Sequence, residues 1–93
     1  MPYISRSDRE ELDLVVGSAL RTLERKSFED SLGDLNYLIS RIISSHMGKV
    51  SYGKIAMATG VLENVKQEFY RRLAAPYEDQ KISQNGDIPE YKP

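Results

Sequence analysis

The sequence predicts an all-α protein, with two shorter helices packed on one long C-terminal helix and an extended tail beyond it. Three observations carry that reading. Apolar residues recur every three or four positions in three separate stretches. Serine, aspartate and glycine stand where those stretches should begin and end. The last stretch keeps its apolar phase across an internal glycine, Gly60.

The first helix is expected over residues 8–26. Ser7 and Glu10 have the spacing of a capping box, in which each side chain satisfies a free backbone amide of the first turn. Leu12, Val15, Val16, Ala19, Leu20 and Leu23 then form one stripe. Asp8, Glu10 and Glu11 open the helix and Arg25 and Lys26 close it, as the helix dipole favours. Gly17 costs about 1 kcal/mol there relative to alanine, which suggests close contact with another helix.

After a connection over 27–33, Asp34 caps a second helix over 34–47. Leu35, Leu38, Ile39, Ile42, Ile43 and His46 share one side of it, and Gly48 is its stop. Ser51 caps the third helix, expected over 51–75. Its face is Ile55, Ala58, Leu62, Val65, Phe69 and Leu73, with Val61 broadening it. About 24 residues at 1.5 Å each make a rod of ~36 Å. Ala56 and Gly60, four apart beside that face, leave room for another helix backbone.

Pro76 disfavours further helix, because its ring clashes with a helical backbone before it. Residues 76–93 are therefore read as an extended tail, with a turn at Asn85-Gly86, prolines at 89 and 93, and Tyr77, Ile82 and Ile88 available to pin it. All 93 residues make one helical domain. A chain this short buries only about 60–65% of its unfolded surface. The long helix outreaches the shorter two, so a homo-oligomer is expected.

Thirteen basic and fourteen acidic residues give a net charge of −1, which offers no general attraction to nucleic acid or membrane. The absence of cysteine excludes disulfides, thiol nucleophiles and thiolate-bound zinc. No apolar run approaches the ~20 residues that span a bilayer. The opening MPYISRSDREELD lacks the basic-then-apolar order of a signal peptide. The expectation is a soluble protein of the cytoplasm.

No catalytic constellation emerges. A nucleophilic triad needs serine, histidine and an acid together, and the single histidine, His46, sits near the end of the second helix, where the dipole favours it. A lone histidine without cysteine makes no metal site, and Glu63 and Glu68, five apart, lie on different sides of their helix. Gly53 and Gly60 are isolated, so no phosphate loop is present. The expectation is a non-enzymatic protein without metal or cofactor. A DNA-binding helix-turn-helix would use Ala56-x-x-x-Gly60 as its turn and 62–72 as its reading helix. The unbroken apolar phase and the acids Glu63 and Glu68 oppose it.

The polar residues that a core does not require are Tyr37 and Arg41, four apart on the second helix, and Lys66, Tyr70, Arg71, Arg72 and Tyr77 at the far end of the third. Arginine offers a planar fork that suits phosphate, and tyrosine stacks on a base. These seven are the candidate ligand contacts. Their competing use is structural, with Arg71 and Arg72 paired to Glu68, Glu78 or Asp79.

GDLNYLISR (33–41), GVLENVKQEFYRR (60–72), APYEDQKISQNGD (75–87) and the MPYISRSDRE opening together resemble a family of small tailed-bacteriophage proteins of unassigned function. Residues 48–59 and 29–32 depart from that pattern. The resemblance implies an accessory protein in the cytoplasm of an infected bacterium and carries no active-site residues. In that setting the leading expectation is an anti-defence binder that sequesters a small anionic nucleotide signal in an oligomer. The alternative is a protein-interaction inhibitor of a host or phage protein. A helix-turn-helix DNA-binding regulator comes third.

Overall fold

The computed structural model describes residues 3–92. Met1, Pro2 and Pro93, which the single-domain and tail readings include, lie outside the described residues. The described chain is all-helical: α1 is Arg6–Leu23, α2 Leu32–Met47, α3 Tyr52–Phe69 and α4 Ala75–Asn85. Short 3₁₀ turns occupy Glu29–Ser31 and Pro89–Tyr91, and a π-turn over Tyr70–Ala74 joins α3 to α4. Contacts divide the chain into two units, and the division falls between Ala58 and Thr59, inside α3.

In the first unit α1 begins at Arg6, earlier than the expected 8, and Ser5 rather than Ser7 stands at its N-cap. The Ser5 hydroxyl donates to the Asp8 carboxylate at 2.8 Å, and the Asp8 amide bonds the Ser5 carbonyl at 3.1 Å. The capping box at Ser7 and Glu10 therefore does not form. α2 also starts early, at Leu32, because the 3₁₀ turn before it already winds the backbone. Asp34 sits in the first turn of α2 and takes Lys26 at 2.9 Å, linking the end of the α1 connection to α2.

Gly48 ends α2 with φ 71° and ψ −131°, a conformation that side chains resist. Ser51 then caps α3, its hydroxyl accepting from the Lys54 amide at 3.2 Å. The Lys54 ammonium reaches back to the Met47 carbonyl at 3.0 Å, so a residue of α3 caps the end of α2.

α3 runs through Gly60 without interruption. A turn there, which the helix-turn-helix reading requires, is absent. A Cβ built at Gly60 meets nothing within 4 Å, and one at Gly17 meets only Arg21 of the same helix, at 3.5 Å.

Pro76 does not end the helical path, and the expected extended tail is helical as far as Asn85. The reason lies one turn upstream. In an α-helix the Pro76 ring would meet the Arg72 carbonyl, and an α-type bond to it would be lost. Here the Ala75 amide bonds the Tyr70 carbonyl, five residues back instead of four. One residue is thereby inserted into the coil, and Pro76 falls in the first turn of α4, where a missing N–H is harmless. Gly86, at φ 87°, closes α4.

No apolar side chain is buried among the described residues. Ser31 is buried, and its hydroxyl donates to the Phe28 carbonyl at 3.0 Å. Leu35, Leu38 and Ile43 of α2 are half-buried, while the α3 residues Val65 and Phe69 are exposed.

Candidate functional site

The seven candidate contacts fall into two groups, Tyr37 and Arg41 in the first unit and Lys66, Tyr70, Arg71, Arg72 and Tyr77 in the second. Each group is built by its own helix.

On α2 the four-residue spacing places Tyr37 and Arg41 one turn apart. Arg41 Nη1 donates to the Tyr37 hydroxyl at 2.9 Å, and the guanidinium carbon lies 5.7 Å from the ring centroid. With Ser40, Ser44 and Ser45 the pair lines an open depression of about 480 Å³. No ion pair between Arg41 and a carboxylate occurs among the described residues. The depression therefore combines one full positive charge, a phenol and three aliphatic hydroxyls.

The second group differs because acids accompany its cations. Lys66 lies 3.7 Å from Glu63. Arg71 holds Glu68 through Nε and Nη2, with contacts of 2.8–3.2 Å. This realises the structural pairing of Arg71 with Glu68 foreseen from the sequence. Exposed pairs of this kind contribute about 0–1 kcal/mol, yet the carboxylates remain beside any approaching anion. Arg72 lies in the π-turn with Arg71. Tyr77 carries Lys81 over its ring at 5.6 Å.

Tyr70 donates to Glu78 Oε1 at 3.0 Å. Residues eight apart on an α-helix stand ~12 Å apart along its axis; the bond spans the π-turn that intervenes. It raises the Tyr70 pKa above the ordinary value, first through the hydrogen bond, then through the Glu78 charge, then through slight desolvation. Because the folded value is raised, the interaction is fully present below about pH 10 and is lost as pH climbs through the raised pKa. Glu78→Gln should lower the Tyr70 titration midpoint toward the ordinary phenol value. A tyrosine ring-carbon NMR titration reads that shift directly, and an unchanged midpoint would show that Glu78 does not cause it.

A second depression, of about 370 Å³, lies wholly in the second unit. Lys81, Ile82 and Asn85 of α4 line it with Ile88 and Tyr91, where the chain turns back after Gly86. Sequence reasoning marked Ile82 and Ile88 as pins and overlooked Tyr91. Its position two residues after Pro89 is the available signal, since proline readily opens a short 3₁₀ turn.

His46 is exposed in the last turn of α2. No group of three or more His, Cys, Asp or Glu suited to a metal ion occurs among the described residues. No described helix is long and apolar enough to cross a membrane.

Comparison with curated proteins and with solved structures finds no match. The family model described as a domain of unknown function, DUF6899, matches residues 1–88, nearly the whole chain, and the protein belongs to that family.

Proposed function

We propose that this protein acts by stoichiometric binding without catalysis, and that it takes a small phosphate-bearing, nucleotide-like anion at the Tyr37–Arg41 depression. One observation carries the reading. Arg41 is bonded to a neutral phenol and no carboxylate pairs with it among the described residues, whereas Lys66 and Arg71 face acids. A phosphate would accept from the guanidinium fork and from the hydroxyls of Ser40, Ser44 and Ser45. The Tyr37 ring, 60% exposed, would stack on a base. Sequestration of such an anion inside an infected bacterium is the role that the bacteriophage resemblance suggests.

The test is calorimetric titration of the purified chain with a panel of nucleoside phosphates and cyclic nucleotides. Arg41→Ala should weaken uptake about tenfold or more, since a hydrogen bond to a charged group contributes roughly 1.5–3 kcal/mol. Arg71→Ala should change it little, because Glu68 already neutralises that side chain. Loss of uptake in Arg71→Ala with none in Arg41→Ala would move the site to the second unit, and no uptake of any member would reject the ligand class.

A second reading, a protein-interaction inhibitor, is favoured by the exposed apolar residues of α1 and α3. It predicts capture of one defined protein partner by a chain that binds no nucleotide.

A further inference from the structure

We infer that the Tyr37–Arg41 depression selects a phosphodiester bearing a single negative charge, as in a cyclic nucleotide, over phosphate monoesters and polyphosphates. The inference rests on the anion-binding reading above and adds a charge rule to it. Arg41 is the one charged side chain among the described residues that line the depression. The rest of its polar lining is neutral. The Tyr37 hydroxyl accepts from Arg41 at 2.9 Å, which leaves the phenol hydrogen to donate to a ligand oxygen. Ser44 and Ser45 add two more neutral donors. The Ser40 hydroxyl donates to Asn36 Oδ1 at a long 3.5 Å, a contact that a phosphate oxygen can replace.

The nearby charges of the same unit do not supply a second cation. Asp34, one turn before Tyr37 on α2, is held by Lys26 at 2.9 Å, so that lysine is already matched. The Lys54 ammonium is occupied by the Met47 carbonyl at 3.0 Å, and neither Lys49 nor Lys54 lines the depression. Ser44 and Ser45 belong to the last turn of α2, where the helix dipole is negative. An anion seated here meets one guanidinium and a mildly repulsive backbone end.

Scaling then favours one charge. The cost of stripping water from an ion rises as the square of its charge, whereas attraction to a single cation rises only in proportion. A monoester phosphate carries about −1.5 to −2 near neutral pH. Compared with a diester, it at most doubles the attraction while the desolvation cost grows up to about fourfold. Hydroxyls donate to either form and supply no missing charge. The hydroxyls of Tyr37, Ser40, Ser44 and Ser45 around one arginine suit the two unesterified oxygens of a diester, and its base can still stack on the Tyr37 ring.

Calorimetric titration of the full chain in magnesium-free buffer tests the rule, with purine and pyrimidine probes that differ only in their phosphate. For each base the probes are the 3′,5′-cyclic nucleotide, the 5′-monophosphate, the methyl ester of that monophosphate and the triphosphate. The cyclic nucleotide and the methyl ester, both diesters, should bind about tenfold more tightly than the monophosphate, and the triphosphate more weakly still. Ser44→Lys, which adds a cation one turn from Arg41, should shift the preference about tenfold toward the monophosphate. Dimethyl phosphate, a diester without a base, should bind about tenfold more weakly than the cyclic nucleotide; equal binding would overturn the nucleotide part of the inference. Uptake that Arg41→Ala weakens, yet is as tight for the monophosphate or triphosphate as for the diesters, would overturn the charge rule and leave the anion-binding reading standing. A methyl ester no better than the monophosphate would overturn it too, since shape would then decide. No uptake of any probe would overturn both.

Discussion

Replacing Pro76 by alanine should convert the π-turn at Tyr70–Ala74 into ordinary α-helix and raise stability by about 1–3 kcal/mol. An interior proline costs a helix ~3 kcal/mol or more, through its missing donor and its clash with the carbonyl four residues back. The wider turn avoids the clash, with the Ala75 amide bonded to the Tyr70 carbonyl, and so recovers part of that cost. With alanine at 76 the four-residue bonds can close, and everything after the turn rotates by about 100°. Glu78 then leaves Tyr70, and the bond now measured at 3.0 Å is lost. Two readouts should therefore move together. The urea midpoint at fixed protein concentration rises, and the Tyr70 titration returns toward the ordinary phenol value. A stability gain with an unmoved Tyr70 titration would show that the π-turn survives without the proline and has another cause.

The π-turn marks where sequence reasoning stopped short. α-type hydrogen bonding cannot continue through a proline, but a coil that inserts one residue can. The helix therefore extends to Asn85, and a 3₁₀ turn at Pro89–Tyr91 follows the stop at Gly86. Other punctuation was legible because its cause is local. Gly48 takes a backbone conformation that side chains resist, Ser51 offers its hydroxyl one turn ahead, and Gly60 needs only an unbroken apolar phase. The starts of α1 and α2 were placed late because several serines and aspartates compete as caps and a 3₁₀ turn precedes α2.

The candidate site divides along similar lines. Tyr37 and Arg41 meet because a four-residue spacing dictates it. The engagement of Lys66 and Arg71 by acids three residues away was equally readable, and the sequence had already raised it for Arg71 with Glu68. The Tyr70–Glu78 bond was not, since helical periodicity without an inserted residue keeps them apart. Periodicity also shows which face is apolar and leaves open what covers it. That is why stripes read as core emerge exposed.

Gly48→Ala should destabilise the protein by about 1–3 kcal/mol, through the backbone alone. At φ 71° and ψ −131° the residue lies outside the regions that L side chains populate. A Cβ at that position meets no atom within 4 Å, so crowding contributes nothing and the whole cost is conformational. Gly33 supplies the contrast. It sits in the first turn of α2 with ordinary helical geometry, and a Cβ there also meets nothing within 4 Å. Gly33→Ala should stabilise by about 0.4–1 kcal/mol, because alanine has less freedom to lose on folding. One chemical change at two uncrowded glycines of the same unit should thus act with opposite signs. Chemical denaturation at matched protein concentration measures both. If Gly48→Ala were neutral, the α2–α3 connection would have to adopt another backbone path, and the Lys54 contact to the Met47 carbonyl, 3.0 Å long, would be the first interaction to change.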